Sequence, residues 1–425
     1  MWYDKLLQVW KIKDLRKSIL QVLGILVIFR FIAHIPIPGI NTAALSDFFN
    51  SNQILGLMNV FSGGAMEKFS VIMLGVGPYI TASIILQLLT MVIPRLEQIM
   101  KEGEQGRQKI NQWTRMLTVP LAAFQAYSMI IVLRQSNMNI ISDMSLLKLI
   151  SVIATITAGT VFLMWLGELI SEKHVGNGIS LIIFAGIVSE IPSTISRVIA
   201  TYDPTQLINI ASFLLVAIVT VAGVVYITEA QRNIPVSYAR QIRGMRMYGG
   251  VDTHLPLRVN QAGMIPIIFA ISIVLFPTMI AQFFLGAKTE FIKAAAQWII
   301  DLFQNQLFYG IIYFLLVVFF TYFYTEVIFH PKQIAENLQK QGGFIPGIRP
   351  GNNTSDYLSN VSHRIVLVGA LFLGLLAVLP LILRQFTGMD NLSISGASLL
   401  IVVSVVIETN KQIESQLLMR DYENL

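Results

Sequence analysis

The sequence predicts an all-α polytopic membrane protein with ten transmembrane helices, on three observations. Hydrophobic residues make up 54% of the 425 residues while charged residues make up 13%. The mean hydropathy is +0.66. Apolar runs close to the ~20 residues that cross a hydrocarbon core recur along the whole chain. No ladder of alternating, roughly ten-residue segments is present, which argues against an outer-membrane barrel. Backbone in lipid must satisfy its own hydrogen bonds, so helices remain.

The spans fall at 19–38, 71–92, 116–133, 151–170, 179–196, 208–228, 263–285, 308–329, 365–383 and 393–410. Ahead of them, Tyr3, Leu6, Leu7 and Trp10 recur at helical spacing among Lys5, Lys11 and Lys13, so residues 1–18 read as an interfacial amphipathic helix. The first apolar run is not a cleaved signal peptide, because Arg30 interrupts it and "IPIPG" replaces a small-residue cleavage site. Residues 19–200 then carry spans one to five, 201–410 carry spans six to ten, and 411–425 form a tail. Alternate loops starting from the N-terminus hold 22 of the 30 Lys and Arg residues, which places both termini in the cytoplasm. The net charge of +6 therefore collects on cytoplasmic loops, where it suits anionic lipid headgroups or an acidic or nucleic-acid partner.

Two cytoplasmic connections are long. Residues 229–262 alternate from Ile234 around Gly244 and carry Arg232, Arg240, Arg243, Arg246 and Arg258, predicting a basic hairpin. Residues 330–364 predict a short helix after Pro331, a stop at Gly342-Gly343, and a tip in which Pro346 and Pro350 flank Arg349. A guanidinium presented rigidly outside the membrane loses less entropy on binding than one on a floppy loop.

Chemistry of other kinds is excluded or unsupported. The absence of cysteine removes disulfides, thiolate metal sites, iron–sulfur clusters and cysteine nucleophiles. There is no phosphate-loop or H-E-x-x-H pattern, and the five histidines show no ligand spacing. Glu168, Glu229, Glu326 and Glu408 fall at predicted cytoplasmic span ends and Arg30 near an outer end, leaving the membrane interior almost uncharged. The spans are instead rich in breaks: Gly75, Gly77 and Pro78 open the second, "GNGIS" opens the fifth, and Pro266 and Pro277 lie in the seventh. Two readings of these residues are disfavoured: sparse intramembrane charge weighs against a small-solute transporter, and broken spans weigh against a membrane scaffold.

Eight stretches carry a resemblance that runs essentially end to end: "IPIPGI", "FSGGA", "LGVGPYITASIILQLL", "KEGEQGRQKINQWTR", "FLMWLGELISEKHVGNGIS", "HLPLRVNQAGMIP", "FIPGIRPG" and "GASLLIVVSVVIE". In order and spacing they resemble the SecY family of protein-conducting channels of the bacterial plasma membrane. The resemblance implies two inverted five-helix halves around a central hourglass pore. It implies a pore ring of Val76, Ile80, Ile179, Ile183, Ile268 and Ile401, with Val76 a departure from the isoleucine common in relatives. It makes residues 55–70 a plug, with Leu57, Met58, Val60 and Phe61 as its apolar face and Gly63 and Gly64 as a flexible joint. It also implies a lateral gate built from the second and seventh spans. The cytoplasmic loops, with Arg349 foremost and Arg240, Arg243 and Arg246 acting together, resemble docking sites for the SecA motor ATPase or the ribosome. Signal sequences, translocating polypeptides and the small membrane subunits SecE and SecG complete the implied partners. The chain itself is expected to be no enzyme and to carry no cofactor.

Overall fold

The computed structural model describes residues 10–38, 40, 44–45, 59, 62–135, 145–200, 207–238, 241–243, 246–248, 253–285, 289–387 and 396–423. Residues 57, 58, 60, 61 and 240 lie outside the described residues, and with them Leu57, Met58, Val60, Phe61 and Arg240. The chain divides into two compact units, one of residues 1–206, 272–306 and 389–425 and one of residues 207–271 and 307–388.

In the first unit, α1 spans Lys13–Ile32, so it starts inside the expected interfacial segment and runs unbroken into the first span. It ends where His34, Ile35 and Pro36 turn into extended chain, and Pro36 bridges Ser70. Helix α2, Gly77–Val92, begins six residues later than the expected second span because Pro78 belongs at a helix start. Residues 71–76 are turns. Helix α3, Pro94–Lys101, leaves α2 at a bend of 102°. Pro94 accounts for the break, since a proline ring restricts the residue before it to extended conformations, and Ile93 has ψ 109°. Gly103, at φ +78°, then reverses the chain into α4, Glu104–Gln135.

Helix α5, Leu146–Ser171, is capped by the Ser145 hydroxyl, which accepts from the Lys148 N–H. It is joined to α6, Gly178–Ala200, by a compact turn. There the Ser171 hydroxyl accepts from the Gly178 N–H at 2.9 Å, and the Asn177 carboxamide oxygen accepts from the Ser180 N–H at 3.2 Å. Gly167 and Gly178 allow the two helices to meet backbone to backbone, since a Cβ on Gly178 would overlap the Gly167 carbonyl.

In the second unit, α7, Leu207–Glu229, leads into strands β1, Gln231–Tyr238, β2, Gln241–Arg243, β3, Arg246–Tyr248, and β4, Thr253–Arg258. β1 pairs antiparallel with β4, and β2 with β3 across the expected turn. Helix α8, Ile265–Phe284, runs from this unit into the first. It is followed by α9, Glu290–Gln304, an amphipathic helix that packs Ala296 and Ile300 with Ala281 and leaves Phe291 and Trp298 exposed. The sequence reading has no element at α9, because Glu290, Lys293 and Asp301 hold its hydropathy below that of a span.

Helix α10, Gln306–Ile328, precedes α11, Pro331–Lys340. A two-residue strand, β5, Gly343–Phe344, pairs with the end of β1. Helix α12, Asn352–Thr387, covers 36 residues, about 54 Å at 1.5 Å per residue. The apolar run occupies only its second half. Helix α13, Gly396–Glu423, returns to the first unit.

Among the described residues six helices are long and apolar enough to cross a membrane, and the bent pair α2–α3 makes up to seven. α1, α8 and α13 stand where three further spans are expected.

Candidate functional site

Three groups of residues carry the expected function. The first is the second part of the expected plug, residues 62–70, with the chain that continues from it into α2. Residues 62–76 contain little regular helix, yet many of their backbone groups are hydrogen-bonded. Ile37 N–H donates to the Phe69 carbonyl at 2.9 Å and Val71 N–H to the Ile35 carbonyl at 3.1 Å, tying the segment to the chain that leaves α1. Asn59 is held from two sides: its carbonyl accepts from the Gly64 N–H at 3.0 Å and its side-chain oxygen from the Glu67 N–H at 3.0 Å. The Ser62 hydroxyl donates to the Asn59 carbonyl at 2.9 Å.

Met66, Phe69 and Met73 are buried in one apolar cluster with Ala126, Ile130 and Leu133 of α4 and Ile156 of α5. Each large side chain so buried contributes roughly 1.5–3 kcal/mol. This half of the outer segment is core.

Gly63 and Gly64 differ from the expected loose joint. Both sit at positive φ, +68° and +75°, where glycine is the residue without steric penalty. Gly63 lies so close to Gly186 of α6 that a Cβ on it would stand 2.6 Å from the Gly186 Cα. Arg30 of α1 donates from Nη1 to the Gly63 carbonyl. The Glu190 carboxylate of α6 covers Gly64, with Oε1 2.8 Å from the position of a Cβ there. Close packing, not slack, requires these two glycines. Lys68 shares this neighbourhood, and burial together with the Arg30 charge presses its ammonium below the usual lysine range against the opposing pull of Glu67 and Glu190.

The second group is the expected ring. Val76 is the N-cap of α2, and its carbonyl accepts from the Ile80 N–H at 3.1 Å, which sets the two side chains one turn apart on the same face. Val76 and Ile183 are buried, Ile401 is fully buried, and Ile80 and Ile179 are half-buried. Ile179 reaches toward α5, its Cδ1 2.7 Å from where a Gly167 Cβ would be. α6 packs on α13, and the α6 entrance is tied to it by Gln416, whose amide donates to the His174 carbonyl at 2.6 Å. Five of the six residues thus belong to one unit. Ile268, half-buried near the start of α8, belongs to the other.

The third group is cytoplasmic by the charge reading. The two long loops share one core: Ile234, Val236 and Leu257 of β1 and β4 with Ile345 before the tip and Leu358 of α12. Ile334 and Leu338 of α11 pack against it. At the tip, Ile348 N–H donates to the Ile345 carbonyl at 3.0 Å across Pro346 and Gly347, the latter at φ +83°. That is a type II turn, with proline and glycine in the positions it requires. Arg349 follows it, exposed, and its carbonyl accepts from the Thr354 hydroxyl at 3.0 Å. In β2 and β3, Arg243 and Arg246 are cross-strand partners beside the turn.

Sequence reading missed Gly186 and Glu190, and placed Arg30 only as a boundary charge. The available signal was the spacing of Gly186 and Glu190, one helical turn apart in "FAGIVSE" and therefore on one face. Among the described residues no group of His, Asp and Glu is arranged to hold a metal ion.

Comparison with known proteins gives a consistent answer. The SecY family model matches residues 70–410. A protein translocase subunit SecY of Streptomyces scabiei is 44% identical over 435 residues, covering 97% of both chains. One of Mycobacterium bovis is 42% identical over 430 residues, covering 96% of both. Among solved structures, a protein-conducting channel superposes with a TM-score of 0.63 at 18% identity, covering 93% of this chain and 90% of that one. Sec61 from a canine ribosome–channel complex of the endoplasmic reticulum gives 0.61 at 18% identity, covering 93% and 90%. At such identities the structural likeness speaks for the fold, and the sequence matches along the whole chain speak for descent. The chain belongs to the SecY family.

Proposed function

We propose that this chain is the pore-forming subunit of a bacterial Sec translocase, a multi-pass protein of the plasma membrane with both termini in the cytoplasm. It passes unfolded secretory polypeptides across the membrane and releases transmembrane segments sideways into lipid. The observation that carries the reading is the match along 96–97% of the chain to proteins named as translocase subunits. The broken start of α2 supports it, because non-helical backbone at membrane depth is tolerated where it is packed in protein or lines a cavity.

Val76, Ile80, Ile179, Ile183, Ile268 and Ile401 form the constriction, which closes around an extended chain without offering it hydrogen bonds and gates by dewetting. The lateral exit lies between α2 and α8. The work of transport comes from outside the chain, from a SecA ATPase or a translating ribosome docked on the basic hairpin and the Arg349 tip. One structural neighbour was itself seen in a ribosome–channel complex. The hairpin arginines Arg240, Arg243 and Arg246 suit phosphate or acidic protein, to which their contribution weakens with salt. SecE and SecG are the membrane subunits that complete the channel, and anionic lipid neutralises the remaining cytoplasmic charge.

The test is electrical and biochemical together. Ile80→Asn, Ile183→Asn, Ile268→Asn and Ile401→Asn channels, reconstituted in planar bilayers, are expected to leak ions and to accept substrates with weakened signal sequences. Four folded variants as tight and as selective as the parent would show that these side chains face lipid.

A further inference from the structure

Arg30 and Glu190 meet at the Gly63-Gly64 joint from two different helices. Arg30 grips the backbone carbonyl of Gly63, and the Glu190 carboxylate lies over Gly64. Gly186, one turn before Glu190, is the surface on which Gly63 rests. The charge of Glu190 acts on Arg30 and on Lys68 alike, so the three form one electrostatic group around the joint. Ionised side chains in membrane helices are costly unless they are partnered. If Arg30 were only a boundary charge it would face water or headgroups. Here it is turned to a peptide carbonyl.

The position of the joint gives this contact its meaning. On its C-terminal side, Met66, Phe69 and Met73 are fixed in the core of the unit. On its N-terminal side lies the segment expected to leave the channel mouth. Arg30 addresses backbone at the border and Glu190 packs over a glycine that has no side chain, so their grip does not depend on which residues precede the joint.

We propose that Arg30 and Glu190 are positioning residues that seat the Gly63-Gly64 joint against α6 in the resting channel, and that unseating it from them is a step in opening. The inference rests on the channel reading above. Release requires the Gly63 carbonyl to exchange Arg30 for water, and Arg30 to turn to Glu190 or to water in its turn. A hydrogen bond from a charged donor is worth enough that its loss shifts such a balance by about tenfold.

The chain has no cysteine, so Ser62→Cys gives a single thiol on the displaceable side of the joint. Ser62 is buried. In the assembled channel reconstituted in vesicles, its reaction with a membrane-impermeant maleimide added outside is slow at rest. Arg30→Gln or Glu190→Gln is expected to accelerate that labelling and to raise ion leak, each about tenfold. Arg30→Lys is expected to restore most of both, since an ammonium can still donate to the carbonyl. A thiol at Ala122→Cys, buried in α4, serves as the control for general loosening. It stays protected in every variant if the effect is local. Labelling and leak within twofold of the parent in Arg30→Gln and Glu190→Gln would overturn the proposal, as would equal exposure of the Ala122→Cys thiol. A channel in which residues 57–66 are replaced by a Gly/Ser linker separates this failure from that of the channel reading. If the linker channel leaks while the two charge variants do not, only the seating role is lost. If the linker channel is also tight, the channel reading itself fails.

Discussion

Replacing Gly63 with alanine tests whether the joint is close-packed or loose. A Cβ there would stand 2.6 Å from the Gly186 Cα. Two carbons rest about 3.5–4.0 Å apart, so one backbone must retreat by roughly 1 Å. Overfilling a packed contact costs about 1–3 kcal/mol, and holding an L-residue at φ +68° costs roughly 1–2 kcal/mol more. Together these amount to about 2–5 kcal/mol, which shifts the seated population by about thirtyfold or more. Gly24→Ala is the matched control, because Gly24 lies in α1 with nothing within 4 Å of its Cβ position. There the substitution should stabilise by roughly 0.5–1 kcal/mol through helix propensity. The assay pairs thermal unfolding of the detergent-purified protein with ion leak in bilayers. Gly63→Ala should unfold earlier and leak more, and Gly24→Ala should do neither. Identical behaviour of the two variants would refute the packing argument and return Gly63 to the status of a slack linker.

Three further outcomes are expected. Leu358→Ala removes a fully buried side chain from the core shared by the two long loops, so it should cost about 2–5 kcal/mol. Because the core is shared, limited proteolysis should then cut residues 231–258 and 331–350 together, and cutting of one region alone would show that they are independent. Arg349→Glu should leave membrane insertion intact while weakening motor or ribosome binding about thirtyfold or more, read by sedimentation with inverted vesicles. Glu97 gives a pH dependence. Its hydrogen bond to Lys101 at 2.6 Å, aided by that ammonium's charge, holds the carboxyl below its ordinary 4.5. The contribution is therefore complete above pH 4.5 and is lost as pH falls through the depressed value. Amide exchange in α3 should quicken on acidification in the parent more than in Glu97→Gln, and equal acceleration in both would exclude the pair as the cause.

The spans were legible because hydropathy is local: α4, α5, α6, α7, α10 and α12 all stand on the expected apolar runs. So were the breaks at Pro78 and Gly178, and the turn at Pro346-Gly347, since each follows from the dihedral preference of one residue. What stayed hidden depends on contacts between distant parts. β5 is two residues long and exists because Ser237 and Tyr238 are there to pair with it. α9 is too polar to read as a span, and its helical stripe is apolar only as a face. Arg30 gave no sign that its partner would be a glycine carbonyl 33 residues away. The glycines at 63 and 64 were visible as special, but their usual meaning, freedom, is opposite to what the approach of Gly186 and Glu190 makes of them.

The fusion of the two long loops with α12 has a mechanical consequence. A helix is stiff along its axis, and α12 runs from Asn352, three residues beyond Arg349, through the shared core and on into the apolar run. Its first proline is Pro380, near the far end of that run. Beyond the Pro350-Gly351 turn, a load applied at the Arg349 tip therefore meets no proline before the far end of the apolar run. The strands and the helix are expected to respond as a single lever, so a partner that tilts the start of α12 by a few degrees displaces its far end by several ångströms over a rod of about 54 Å.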